Sequence, residues 1–167
     1  MAGQLPCATK LRLLLSYEKE TGLLTWRTSA KRGYKPGDTA GYIHRARNAY
    51  RVVRLEGRQY YAHRLIWKIV TGSDPVGMID HIDGDGTNNA WSNFRAASVY
   101  QNGHNRRLNK NNKSGVKGVH REGGRWRAII KSKKQLFDLG RFEQVEDAER
   151  AIVPLRQQLH GEFARLS

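Results

Sequence analysis

The residues of this chain best suited to chemistry are Asp80 and His81, followed by Asn93 and Asn102. Hydrolysing a phosphodiester requires an activated water, a cation at the phosphate and help for the leaving oxygen. A neutral imidazole can take the proton from water. A carboxylate with an amide oxygen suits a hard cation such as Mg²⁺, which neutralises charge in the transition state. These residue types therefore indicate nuclease chemistry.

Short secondary-structure elements are expected to position these side chains. Residues 78–82 have the composition of a strand, and residues 83–89 are dense in turn formers. Ser98 followed by Gln101 fits a capping box, which predicts that a helix carrying Asn102 begins at Ser98. The upstream pattern predicts, in order, a helix at 10–20, a turn and strand at 21–26, a loop at 31–41, a hairpin with arms at 50–55 and 59–62, and a helix at 63–70.

The pattern changes after residue 108. Residues 109–115 are polar and predict a linker. Three strand-like runs follow, at 116–121, 125–132 and 135–139. A final amphipathic helix is predicted from Val145 to Gly161, and Pro154 inside it should kink the helix or remove one backbone hydrogen bond.

The charge of the chain indicates a polyanionic partner. The net charge is +15 over 167 residues. Residues 104–135 carry 11 basic side chains and one acidic side chain, which is two-thirds of that net charge. Such a block is often only a solvated face or a flexible linker, but its strand-like alternation around Trp126 favours a structured surface that faces phosphate.

Cysteine content and hydropathy restrict the setting of the protein. Cys7 is the only cysteine, which excludes an intrachain disulfide framework and a multi-cysteine zinc ribbon. No apolar run approaches the roughly 20 residues that a membrane helix needs. The apolar stretch near the N-terminus is too short for a secretory signal. The predicted setting is a reducing cytoplasm, that of a host cell if the gene belongs to a phage, with no membrane partner.

One segment resembles a known nuclease motif. Residues 79–89, followed by residues 93–95 and 100–102, resemble the HNH endonuclease motif of free-standing phage and homing-type nucleases. Residues 62–67 are similar to the same group. The resemblance implies two strands and a helix around one metal ion, the ββα-metal arrangement, with its core at about residues 79–107.

The resemblance also implies a role for each motif residue. His81 would be the general base and Asn93 would orient it, while Asp80 and Asn102 would bind the metal. Because the third signature residue is Asn where many members have His, the pattern favours one Mg²⁺ or Mn²⁺ ion over Zn²⁺. Asn105 lies three residues beyond Asn102 on the same helix face, so it is an alternative second ligand.

Several neighbouring residues have simpler interpretations. Asp83 and Asp85 are predicted to be turn residues because of their Gly neighbours. An EF-hand is excluded, since the twelfth loop position would be Ser92 instead of Glu. His63 is predicted to be a structural histidine beneath the site.

The C-terminal region resembles a second family. Residues 113–165 are similar nearly end to end to the plant ethylene-response-factor (APETALA-type) DNA-binding domain. The resemblance implies a three-stranded antiparallel sheet packed on one helix, with the sheet in the DNA major groove. His120 and Glu122 interrupt the first strand, which is Arg-rich in the plant proteins, so the plant target sequence is not transferred.

Alternation along the second strand predicts the DNA contacts. Arg125 and Arg127 should face one way, and Trp126 should face the helix unless it stacks outward on sugar. Arg side chains read guanine, whereas Lys side chains at a turn grip phosphate. The predicted DNA-binding residues are Arg121, Arg125, Trp126, Arg127, Lys131, Lys133 and Lys134.

Together these observations predict an α+β protein with two domains. Residues 1–108 would form the HNH nuclease region, residues 109–112 a linker, and residues 113–167 the sheet-plus-helix DNA reader. The predicted function is a metal-dependent endonuclease of double-stranded DNA that hydrolyses phosphodiester bonds by nicking, as a monomer or weak dimer. Its choice of site would be aided by the C-terminal major-groove-binding module. The alternatives are a DNA-binding regulator with a degenerate HNH scaffold and a basic protein that associates with RNA.

Overall fold

The computed structural model describes residues 4–29, 33–45 and 49–166, and the chain divides into two compact units. The N-terminal unit is Met1–Val99 and the C-terminal unit is Tyr100–Ser167. This division falls upstream of the linker predicted at 109–112. It places Asn102 in the C-terminal unit.

The N-terminal unit combines two helices with three small antiparallel sheets. The sheets are β1 with β2, β3 with β4 and β5, and β6 with β7. The elements are α1 (Ala8–Leu14), β1 (Leu15–Tyr17), β2 (Leu24–Trp26), β3 (Tyr42–Arg45), β4 (Ala49–Leu55), β5 (Arg58–Tyr61), α2 (Ala62–Thr71), β6 (Met78–His81) and β7 (Phe94–Ala97). A single 3₁₀ turn at Trp91–Asn93 leads into β7.

Helix α2 lies at the centre of the N-terminal core. Its buried residues Ala62, Leu65 and Ile66 fall on one face at helical spacing and pack with side chains of α1 and β4. Gly72 ends the helix in the left-handed conformation, with φ of 79°. The structure therefore confirms the helix predicted at 63–70 and its stop.

Two parts of the N-terminal unit differ from the prediction. The helix predicted at 10–20 ends at Leu14, because Leu15 turns to extended backbone and pairs with Trp26. Strand β3 was not predicted, since its side chains are mostly exposed and give no apolar alternation. It adds a third strand to the predicted hairpin. Of the loop predicted at 31–41, residues 31 and 32 lie outside the described residues.

The C-terminal unit is a three-stranded antiparallel sheet packed on one long helix. Its elements are α3 (which starts at the unit boundary and spans Val99–His104), β8 (Val119–Glu122), β9 (Arg125–Ser132), β10 (Gln135–Phe142) and α4 (Val145–His160). The strand order is β10-β9-β8. Val119, Ala128 and Ile130 on the sheet and Ala148 and Ile152 on α4 form a separate core.

Helix α4 runs through Pro154 without ending there. Proline cannot donate a backbone hydrogen bond, so the carbonyl one turn earlier loses its helical partner. Pro154 lies on the exposed side of α4, where water can satisfy that carbonyl. Within the described part of the chain, no helix is long and apolar enough to cross a membrane.

The turn between β1 and β2 packs directly on the segment that leads to Asn93. Gly22 has φ of 75°, and a Cβ placed on it would lie 2.3 Å from the backbone nitrogen of Ala90. The Trp91 backbone N–H donates to the Lys19 carbonyl at 2.8 Å. Glycine is therefore required at position 22 by two constraints, its backbone conformation and the close approach of another chain segment.

We expect Gly22→Ala to destabilise the N-terminal unit more than Gly57→Ala. Both glycines have φ near 80°, but a Cβ on Gly57 would meet nothing within 4 Å. Gly57→Ala should cost about 1 kcal/mol from backbone strain, and Gly22→Ala about 1–3 kcal/mol more from the steric clash. Urea unfolding of the two variants measures the difference, and equal losses would contradict the close approach.

Candidate active site and nucleic-acid interface

The hairpin of β6 and β7 carries the two principal candidate residues. Asp80 pairs in register with Arg95, and His81 pairs with Phe94. The solvent-exposed fractions of Asp80 and His81 are only 4% and 5%. Asp80 lies inside β6, and His81 is its last residue, where the chain leaves the strand for the loop.

Arg95 holds the Asp80 carboxylate. Its Nε and Nη2 donate to Oδ2 of Asp80 at 2.8 and 2.7 Å. A guanidinium that donates from two nitrogens restricts the orientation of the carboxylate as well as balancing its charge. Arg95 was not among the predicted site residues, although its place directly opposite Asp80 would follow once the hairpin register was known.

Aromatic rings surround His81. Phe94 and His63 meet its imidazole edge-on, with ring centroids 5.1 and 5.2 Å away. Tyr50 lies 6.0 Å from it, and His63 in turn stacks on Tyr61 at 5.5 Å. These rings limit both the rotation of His81 and the access of water to it.

This environment keeps both histidines neutral. Burial first, and then the nearby His81 and Arg64, lower the pKa of His63 to about 3. Burial also lowers the pKa of His81, against the opposing influence of the Asn89 side chain and of neighbouring carboxylates. His63 thus has the structural role predicted for it, and a neutral His81 can accept a proton.

Asn93 fixes the loop between β6 and β7. Its side-chain oxygen accepts from the backbone N–H of Asp83 at 3.0 Å, and its amide nitrogen donates to the Asp83 carboxylate and to the Asn88 carbonyl. Its backbone carbonyl accepts from the N–H of Ile82 at 2.9 Å. These bonds tie the Asn93 side chain to the loop that follows His81. That Asn93 orients His81 stays a prediction.

Asp83 and Asp85 have the turn roles predicted for them. Asp83 accepts from the backbone N–H of Asp85 at 2.7 Å, and Asp85 accepts from the backbone and hydroxyl of Thr87 at 2.9 and 2.8 Å. Burial alone would raise the pKa of Asp83, but the hydrogen bonds that it accepts from Asp85, Asn88 and Asn93 lower it overall.

Asn89 is a candidate positioning residue that the sequence did not single out. Its side chain is buried and donates a hydrogen bond to the Thr87 carbonyl at 3.1 Å. The side chain also lies against His81, where it acts to raise the pKa of the imidazole against the larger effect of burial. Its backbone carbonyl accepts a hydrogen bond from the Tyr17 hydroxyl at 2.8 Å. Tyr17 is on β1, so a distant strand helps to locate this amide.

The candidate metal ligands suit a hard cation. Asp80 offers a buried carboxylate, while Asn102 on α3 is half-buried and Asn105 just beyond it is buried. Among the described residues, no group of three or more His, Cys, Asp or Glu side chains could hold a metal ion. Carboxylate and amide oxygens are the ligand types that Mg²⁺ prefers, and Mg²⁺ usually keeps several waters when bound to protein.

The C-terminal sheet divides the predicted DNA-binding residues between its two faces. Arg125, Arg127 and Lys131 alternate with the core residues of β9 and share the outer face. Trp126 packs against the core, and Arg121 pairs with it in register and lies over its ring at 5.5 Å. Arg121 and Trp126 are thus on the helix-facing side.

Carboxylates hold Arg127 at the centre of the outer face. Arg127 bonds to Glu122 at 2.8 Å and to Asp138 at 2.7 Å, and Arg141 pairs with Glu122 at 2.6 Å. The pKa values of Glu122 and Asp138 are lowered, chiefly by hydrogen bonds from these arginines. Lys133 and Lys134 form the turn between β9 and β10, with φ of 45° and 69°, and are exposed.

Comparison with known proteins identifies the family. A family profile described as HNH endonuclease matches residues 60–104. Protein 3.8 of Escherichia phage T7 is 32% identical over 120 residues, which are 68% of this chain and 98% of that protein. The chain belongs to the HNH endonuclease family. The HNH match includes the β6–β7 hairpin, whereas β8, β9, β10 and α4 lie outside it. No solved structure gave a significant match.

We expect the stability of this HNH protein to fall between about pH 7 and pH 5, with His63 as one cause. Its pKa of about 3 in the folded chain is below the ordinary 6.5, so the unfolded chain binds the proton more readily. The contribution of His63 to the free energy of unfolding is complete above pH 6.5. It decreases as the pH drops toward 3, by up to about 1.4 kcal/mol per pH unit.

Urea unfolding at the two pH values, for wild type and His63→Asn, measures this contribution. The variant should show the shallower pH dependence, because asparagine does not titrate. Identical slopes in the two proteins would show that His63 is accessible to protons in the folded state.

Proposed function

We propose that this HNH protein is a metal-dependent DNA endonuclease of the phage or homing type. It hydrolyses phosphodiester bonds of double-stranded DNA, nicking one strand as a monomer or weak dimer in the cytoplasm of the host cell. The observation that supports this most strongly is a buried, neutral His81 next to a buried Asp80 in the hairpin matched by the HNH profile.

His81 is the general base in this proposal. An imidazole with a lowered pKa is unprotonated near pH 7, as removal of a proton from the attacking water requires. Phe94 and His63 hold the ring edge-on, and Asn89 lies against it. Asn93 keeps the loop after His81 in one conformation, so the base is oriented before substrate binds.

Asp80 and Asn102 would hold the divalent metal ion, Mg²⁺ or Mn²⁺, in the ββα-metal arrangement. When bound, the ion supplies charge stabilisation at the scissile phosphate and at the leaving oxygen. Arg95 restricts the Asp80 carboxylate through Oδ2. Asn105 is the alternative to Asn102 as the amide ligand.

The C-terminal sheet would select the DNA site as an ethylene-response-factor-type reader. Its outer face carries Arg125, Arg127 and Lys131, and Lys133 and Lys134 extend the positive charge at the turn. The carboxylates of Glu122 and Asp138 fix the Arg127 guanidinium, which suits an arginine that must meet a base edge in one orientation.

Plasmid cleavage tests the enzyme. Wild type should convert supercoiled plasmid to open circle with Mg²⁺ or Mn²⁺ and not with EDTA. His81→Ala should lower the rate by about 10²-fold or more, the usual contribution of a general base. The exposed His44 on β3 provides the matched control, since His44→Ala removes an imidazole outside the residues matched by the HNH profile.

The outcomes of this test are distinct. Loss of cutting in His81→Ala with full activity in His44→Ala supports the assigned base. Equal activity in all three proteins would remove His81 from the mechanism. No cutting by wild type across several plasmids, with DNA binding intact, would replace the endonuclease by a DNA-binding regulator.

Arg127→Ala tests the proposed reader separately. We expect discrimination between preferred and random duplexes to fall by about 1–3 kcal/mol, because one base-reading arginine is lost. Arg150→Ala is the control, since Arg150 is an exposed arginine on α4 that pairs only locally with Asp147. Competition binding with both variants measures the effect, and equal losses of discrimination would argue against the outer face as the reader.

A further inference from the structure

Four basic or imidazole side chains come together inside the C-terminal unit, away from the outer face of its sheet. Arg156 of α4 donates from Nη2 to the Lys117 carbonyl at 2.9 Å. The Lys117 ammonium donates to the carbonyls of His104 and Arg106. The imidazoles of His104 and His160 stack with centroids 3.6 Å apart and planes 16° apart. We call Lys117, Arg156, His104 and His160 the basic cluster.

The cluster is unusually buried for its charge. The solvent-exposed fraction is 8% for both Arg156 and His160. Lys117 and His104 are half-buried. Nδ1 of His160 is buried and makes no hydrogen bond with any described residue. Burying cationic groups is costly unless an opposite charge accompanies them, and a buried polar nitrogen without a partner calls for an explanation.

The charged groups that shift the pKa values of Lys117, His104 and His160 do not include a carboxylate. The acidic side chains that form ion pairs in the C-terminal unit lie on the outer face of the sheet or at the start of α4. None of these ion pairs includes a member of the basic cluster. The charged groups that act on the cluster are themselves cations. Burial first, then Arg156 and Arg165, lower the pKa of Lys117 to about 8.

A purely structural role accounts for only part of this arrangement. The backbone at Gly118 closes on the guanidinium, since a Cβ there would lie 3.0 Å from Arg156 Nη2 and 2.4 Å from the Ile129 carbonyl. That explains why one arginine is buried beside β8. It does not explain why two stacked imidazoles lie beside the buried cations, or why Nδ1 of His160 has no hydrogen-bond partner among the described residues. A metal ion is excluded as the missing partner, because Lys117 and Arg156 would repel it.

We propose that the basic cluster is an anion site that binds a phosphate group. A guanidinium, an ammonium and imidazole N–H groups are the donors that phosphate oxygens accept from most strongly. The phosphate balances the buried charge, and it comes either from the DNA backbone or from free phosphate in solution. The basic cluster lies within the C-terminal unit and uses none of the outer-face residues Arg125, Arg127 and Lys131.

Thermal unfolding of the full chain in inorganic phosphate tests the site. Wild type should unfold about 5 °C higher in phosphate than in chloride of equal ionic strength. Lys117→Gln should lose most of this rise, and Lys117→Arg should retain it. Lys113→Gln is the matched control, because Lys113 is an exposed lysine four residues earlier in the same basic block.

Duplex binding at several salt concentrations identifies the source of the phosphate. If the DNA backbone supplies it, Lys117→Gln should bind duplex several-fold more weakly than Lys113→Gln, with a salt dependence reduced by about one released counterion. If free phosphate supplies it, the two variants should bind duplex equally while only Lys117→Gln loses the thermal rise.

Two results would overturn the proposal. One is an equal response of Lys117→Gln and Lys113→Gln to both phosphate and duplex, since general attraction of anions by a basic chain predicts that result. The other is the absence of both effects in wild type. Neither measurement uses cleavage, so failure of this site and failure of the endonuclease are distinguishable.

Discussion

The antiparallel pairing of β6 with β7 is the constraint on which the candidate active site depends. It sets Arg95 against Asp80 and Phe94 against His81 in a single register. A shift of one residue would exchange the two faces of each strand, exposing the ion pair and removing the imidazole from its ring of aromatic side chains. Asn93, immediately before β7, secures the loop that maintains this register.

Low polarity then determines the chemistry that the hairpin supports. The guanidinium of Arg95 holds the buried Asp80 carboxylate in one orientation. Burial lowers the pKa of the neighbouring His81 imidazole. Two neighbouring residues of one strand thus have different environments. On the outer face of the C-terminal sheet the charged side chains remain near water. There the carboxylates of Glu122 and Asp138 hold the Arg127 guanidinium in place.

The parts of the fold and of the candidate site that could be predicted from the sequence are those with a strong local pattern. The apolar spacing of α2, the turn residues after His81 and the alternation along β9 each lie within one element. Contacts between distant segments could not be predicted. To predict that Arg95 lies opposite Asp80, or that Asn89 lies beside His81, one must know the register of the hairpin and the path of its loop. The early end of the first helix could not be predicted either, because it depends on the pairing of β1 with β2.

The hydroxyl of Tyr17 reaches the backbone of Asn89 across 72 positions of sequence. Closing so long a segment is entropically expensive, and contacts of this kind form late when a chain folds. The HNH segment is therefore not organised by its own sequence alone. Removal of the amino-terminal strands would therefore take away an anchor of the loop that places Asn89 beside His81.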